Sequence, residues 1–96
     1  MKMAMISYNS AIETEVMEVM ENCGVENFTR WRQVQGKGEI SGAHFGTDVW
    51  PGENSVIFTA IADEKVKDLV KCIVKLRLKL GKEGVKAFVW DLLEVT

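Results

Sequence analysis

No apolar run in these 96 residues comes near the roughly 20 that a bilayer-spanning helix needs, so a membrane span is excluded. The opening stretch from Met1 to Ile6 is apolar apart from Lys2, but Ser7, Asn9 and Ser10 end it too soon for a secretory segment. Neither charge sign dominates: 12 Lys and Arg stand against 14 Asp and Glu, a net charge of −2. A global basic field of the kind that draws proteins to nucleic acid or anionic membranes is therefore missing. Cysteine is scarce. Cys23 and Cys72 are too far apart for a CxxC redox motif and too few for a thiolate zinc cluster, and they read as two small hydrophobes in a reducing compartment. Together these absences predict a cytoplasmic protein with no nucleic-acid partner and no direct membrane insertion.

What is present supports a fold. With 47% hydrophobic and 27% charged residues, the chain fits one domain over residues 1–96 with a limited core. Lys2 to Tyr8 is a short apolar strand running into Asn9-Ser10. Ser10 and Glu13 then have the S-x-x-E spacing of a capping box, Ile12, Val16, Val19, Met20 and Cys23 recur at helical spacing, and Gly24 supplies the left-handed residue that closes the helix. Asn27 to Gln35 reads as an edge strand with Phe28, Trp31 and Val34 among polar residues. Glu39 to Asn54, with Gly42, Gly46, Pro51 and Gly52, has no sustained period and reads as a long loop or an irregular hairpin extension.

Ser55 to Ala62 is apolar at nearly every position, the pattern of a central strand. Asp63 starts a second helix with Val66, Leu69, Val70, Ile73, Leu76 and Leu80 on one face, and after Gly81 and Gly84 the segment Val85 to Val95 returns to strand. The order is α+β, a ferredoxin-like β-α-β-β-α-β sandwich with a four-stranded antiparallel sheet and two helices on one face. The other face has no cover from this chain. Because Val56, Phe58 and Ala60 alternate with Ile57, Thr59 and Ile61, and Ala87, Val89 and Leu93 with Phe88, Trp90 and Leu92, both faces are apolar, which predicts a homo-oligomer packed sheet against sheet.

Chemistry-bearing clusters are few. His44 is the only histidine; with Asp48 or Glu39 and groups from a neighbouring subunit it is a candidate ligand for a transition metal. No acid–base or nucleophilic set is evident, so the chain reads as a non-enzyme. Gly36-x-Gly38-x-x-x-Gly42 lacks the spacing of the dinucleotide fingerprint but lets backbone amides approach an anion. Arg30-Trp31-Arg32 is a basic-aromatic cluster better explained by edge-strand packing and charge than by base stacking.

Val34-Gln35-Gly36-Lys37-Gly38 resembles the V-x-G-x-G that opens the T-loop of the PII-like superfamily, the small trimeric signalling proteins related to nitrogen regulatory protein P-II. Asp63-Glu64-x-Val66 resembles the start of that family's second helix, and the segment from Gly81 to Val89 its nucleotide-facing turn and last strand. The resemblance implies a homotrimeric regulator that binds a small effector in clefts between subunits. Gly36, Lys37, Gly38, Gly84 and Lys86 are the matching ligand positions. It also implies that the loop, at about 36–54, contacts a partner protein through His44, Phe45, Asp48 and Trp50. The chain departs from P-II proper in three ways: its loop is shorter and has no tyrosine to uridylylate, its nucleotide-facing turn is shortened, and no arginine-bearing segment follows the last strand before Thr96. These departures weigh against adenine-nucleotide binding. The stretch from Gly42 to Ser55 resembles a divergent PII-like branch associated with heavy-metal efflux, and under that alternative His44 serves in metal binding or sensing.

Overall fold

Strand β1 (Lys2–Asn9) sends Ala4, Ile6 and Tyr8 to one side, where each is buried, and Met3, Met5 and Ser7 to the other, where each keeps some exposure. This is the period of two that an extended chain imposes. The structure is a computed structural model, and it describes residues 1–38, 42–44, 53–80 and 84–96. After β1 the chain makes one turn of 3-10 helix (Ser10–Ile12) and enters helix α1 (Glu13–Asn22). Asn9 is the cap, its Oδ1 accepting from the Ala11 N–H at 3.0 Å.

The expected capping box of Ser10 and Glu13 does not form, because both side chains have tertiary partners. Ser10 Oγ lies 2.9 Å from Ser55 Oγ, and the Glu13 carboxylate accepts from the Tyr8 hydroxyl. At its other end α1 closes as its sequence predicts. Gly24, at φ 73°, donates to Glu21 O at 3.0 Å and Val25 donates to Met20 O at 2.9 Å, the paired bonds of a Schellman motif.

The remaining elements are β2 (Thr29–Val34), a short ribbon of β3 (Gly36–Gly38) and β4 (Gly42–His44), β5 (Asn54–Ile61), α2 (Asp63–Leu80) and β6 (Val85–Asp91). The main sheet has the order β2-β5-β1-β6, antiparallel throughout, so the ferredoxin-like arrangement stands with β5 central and β2 at an edge. Where the sequence showed no period, β3 and β4 pair antiparallel as Gly36 with His44, Lys37 with Ala43 and Gly38 with Gly42.

The last strand is shorter than its apolar run predicts, ending at Asp91 rather than Val95. Asp91 pairs with Lys2, the first residue of β1, so beyond it the ladder has no partner strand. Only the Leu92 N–H follows, donating to Met1 O at 3.2 Å, and Leu93 is fully exposed.

Helices α1 and α2 pack on one face of the sheet. Val16 and Met20 from α1, with Leu69, Ile73 and Leu76 from α2, close over Ala4, Ile6, Tyr8, Ile57, Ile61 and Val85. Strand parity therefore sends the even-numbered residues of β5 and β6 to the opposite face. The register arranges that face in rows: Trp31, Val56, Ser7 and Lys86 nearest the ribbon, then Thr29, Phe58, Met5 and Phe88, then Ala60, Met3 and Trp90. Trp31 meets Phe58 edge to face at 5.1 Å between ring centroids. No element among the described residues covers these rows, and Trp31 is 58% exposed, Phe88 and Trp90 44% each.

Candidate functional site at the loop end of the sheet

One end of the sheet gathers every glycine-rich segment described. Asn9, at the end of β1, pairs across the sheet with Asn54, at the start of β5, and its N–H donates 2.9 Å to the carbonyl of Gly84 before β6. The next amide, Ser10 N–H, donates 2.9 Å to Glu53 O. Helix α2 is tied to the same end by Arg77, whose Nε donates to Val85 O at 3.0 Å. The backbone at Glu53 and at Gly84 and Val85 is thus held by hydrogen bonds from the end of β1, the 3-10 turn after it and α2.

The ribbon leaves this end through a distortion in β2. Trp31 pairs with Val56 and Val34 with Asn54, so three steps on β2 match two on β5, and Gln33 absorbs the extra residue at φ 58°. A left-handed non-glycine residue costs on the order of 1–3 kcal/mol, and the bulge moves Val34 onto the uncovered face. Gly36 follows immediately. A β-carbon there would stand 2.2 Å from Asn54 Nδ2 and 3.3 Å from Asn54 Cγ, so a side chain at 36 requires the Asn54 amide to move.

This close approach has a measurable consequence. Gly36→Ala should cost about 1 kcal/mol in urea unfolding, because the Asn54 side chain must turn away from the new β-carbon. In an Asn54→Ala background the same substitution should cost almost nothing. Strictly additive costs would show that the Asn54 amide is not what excludes a side chain at 36.

Behind the ribbon lies a charged cluster built on Glu13. Its carboxylate accepts from the Tyr8 hydroxyl at 3.0 Å and from Arg32 at 3.2 Å, and it forms an ion pair with Arg30 at 3.5 Å. The cluster joins the first turn of α1 to the edge strand β2. Burial, then the bond to Glu13, pushes the Tyr8 hydroxyl up to about 12, partly opposed by a hydrogen bond from Ser55 and the Arg30 charge.

The family model of nitrogen regulatory protein P-II matches residues 1–96. The chain belongs to the P-II family. Among solved structures it is similar to CPII, a PII-like protein of Thiomonas intermedia, in a form bound to ADP, AMP and bicarbonate: TM-score 0.75 at 20% identity, covering 95% of this chain and 84% of that one. The apo form of CPII aligns with TM-score 0.66 at 16% identity, over 93% and 87% of the two chains. A PII-like signalling protein of Thermus thermophilus aligns with TM-score 0.60 at 22% identity, over 93% and 83%. At these identities the structural likeness speaks for the fold. Comparison with curated proteins finds no match.

In this P-II family chain the sequence-predicted ligand positions fall on two strands and a turn. Gly36, Lys37 and Gly38 form β3, Gly84 is held by Asn9, and Lys86 stands on β6 opposite Ser7, its Nζ 5.9 Å from the Phe88 ring centroid. His44 ends β4, opposite Gly36. Phe45, Asp48, Trp50 and Glu39 lie outside the described residues. Among the described residues no group of three or more His, Cys, Asp and Glu side chains is placed to hold a metal ion, and no helix is long and apolar enough to cross a membrane.

The reading of Arg30-Trp31-Arg32 as packing and charge agrees with the structure, since both arginines engage Glu13 and Trp31 packs on Phe58. Sequence reasoning missed Asn54 and Ser55 as partners of Asn9 and Ser10. The signal was present in the sequence, an Asn-Ser dipeptide at one end of each central strand.

Proposed function

We propose that this chain is a non-enzymatic, cytoplasmic PII-like regulator that forms a homotrimer through the uncovered sheet face. It takes a small anionic effector between subunits and offers the segment 39–53 to a partner protein. The observation that carries this reading is that uncovered face: three rows of mostly apolar and aromatic side chains on the side of the sheet away from the helices. Its row nearest the ribbon ends in Lys86 on the edge strand, so a neighbouring subunit seated on the face would border Lys86 and the glycine-rich end.

An anion suits that seam. Lys37 and Lys86 supply positive charge, and Gly36, Gly38 and Gly84 let backbone come close to a ligand. ADP, AMP and bicarbonate, the molecules bound to CPII, are anions of this class. His44, Phe45, Asp48 and Trp50 are the side chains the loop would bring to a partner protein.

Calorimetric titration with ADP, AMP and bicarbonate, in parallel with copper, zinc and nickel, tests the reading. Binding of one of the anions, weakened at least tenfold (about 1.4 kcal/mol) in a Lys37→Ala, Lys86→Ala double variant, is the expected result. Tight metal binding that disappears in His44→Ala, with no anion bound, would replace it by the metal-sensing alternative.

A further inference from the structure

Helix α1 starts at the loop end of the sheet and runs away from it to Cys23, where it meets Cys72 in the middle of α2. The two sulfurs lie 2.8 Å apart, with the Cys23 thiol donating to Cys72 Sγ across a sequence separation of 49 residues. Both thiols are free and partly exposed, and both line one cavity of about 400 Å3 whose remaining wall is Asn22, Asp68, Lys71 and Lys75. A pair of thiols in contact at the wall of a cavity with two ammonium groups is more than two small hydrophobes filling a core. It is a site that a small anionic reagent can reach.

We propose that Cys23 and Cys72 form a reversible dithiol–disulfide site whose oxidant is a low-molecular-weight anionic disulfide of the glutathione class. Thiol–disulfide exchange accounts for every atom. One thiolate of the pair attacks a sulfur of the small disulfide, breaking its S–S bond and releasing one small thiol. The second thiolate then attacks the protein sulfur of the mixed disulfide and releases the other. The two protein thiols lose two electrons and two protons, and the small disulfide gains both as two thiols.

The geometry favours each step. Lys71 and Lys75 outweigh the single Asp68 carboxylate in the lining and so complement the carboxylates of the entering reagent, which reaches the sulfurs from the open side. Closing the bridge needs the sulfurs to approach by only about 0.7 Å, to a bond of roughly 2.05 Å. Burial and the bond to Cys72 push the Cys23 thiol up to about 12. A raised thiol is less often ionised, which slows attack by Cys23.

The bridge would close a loop containing β2, the β3–β4 ribbon, β5 and the first half of α2. A cross-link over a segment of this length removes much of the freedom of the unfolded chain. It would fix the end of α1 to α2, the two elements that form the helical layer.

The intact protein, equilibrated in defined mixtures of reduced and oxidised glutathione and then alkylated, gives the test by mass spectrometry and thermal unfolding. The expected result is a fall from two alkylated thiols per chain to none. No chain-to-chain cross-link should form, and the unfolding midpoint should rise by roughly 10–20 °C and return with dithiothreitol. Cys72→Ser in the same mixtures should keep Cys23 as a glutathione adduct without the rise. A wild-type chain that holds stable glutathione adducts, cross-links to other chains, or keeps two alkylatable thiols at every ratio would overturn the proposal.

Discussion

Phe58→Glu should yield a folded monomer. Phe58 sits in the middle row of the uncovered sheet face, between Thr29 and Met5 in register and against the Trp31 ring. In the isolated chain the position is partly exposed, so a carboxylate there can reach water, and the local loss is the Trp31 contact, about 1 kcal/mol. In an assembly packed through this face, each subunit loses about 2–3 kcal/mol of apolar burial and must bury a charge at a further cost of several kcal/mol. Association should weaken by about a thousandfold or more, a change of about 4 kcal/mol. Light scattering at micromolar concentration reads the mass, and circular dichroism confirms that the fold is kept. Leu78→Glu is the control, since Leu78 is an exposed residue of α2 on the helical side of the sheet. An unchanged mass for Phe58→Glu would remove the sheet-face assembly and the intersubunit clefts that depend on it.

Alkaline titration should show a second large effect, and the chain offers an isolated probe for it, because Tyr8 is its one tyrosine. Its hydroxyl should ionise at about 12 instead of its ordinary 10.0. The folded state thus binds this proton more tightly than the unfolded chain does. The resulting stability is fully present below pH 10 and is lost as pH rises from about 10 to about 12, an amount of about 2–3 kcal/mol. Cys23, raised from 9.0 to about 12, acts in the same direction and begins to do so one unit lower.

Glu13→Ala separates the causes of the Tyr8 shift. It leaves the buried hydroxyl without its acceptor and should cost about 1–3 kcal/mol at neutral pH. The tyrosinate absorbance midpoint should fall in this variant yet stay above 10, because burial is the larger cause and remains. A wild-type midpoint near 10, unmoved by Glu13→Ala, would show that the hydroxyl is neither buried nor bonded to Glu13 as described.

The two predictions rest on features of different legibility. The apolar alternation of β5 and β6 could be read directly, and with two crossover helices it required one sheet face to be left over. Glu13 had a local reading as the partner of Ser10 in a capping box, and that reading was wrong. A carboxylate in the first turn of a helix is available to whatever the fold brings beside it, and here the edge strand brings two arginines and β1 brings a phenol. The bulge at Gln33 carried no sequence signal, since a left-handed glutamine is imposed by the pairing on either side of it. The Cys23–Cys72 contact was equally hidden, because a distance of 49 residues says nothing about which helical turns will face one another.

The sequence by itself determined the order of strands and helices, the closure of α1 at Gly24, the central place of β5 and membership of the P-II family. Each follows from periods of 2 and 3.6 residues, from a glycine's freedom at positive φ, or from motifs within a few residues of each other. Only the tertiary structure decided where β6 stops, which side chains meet at Glu13, that the Asn54 amide crowds position 36, and that two distant thiols touch. Those outcomes depend on strand register and on how the helices settle over the sheet. Both are set by packing summed over the whole core, and no local stretch of sequence contains that sum.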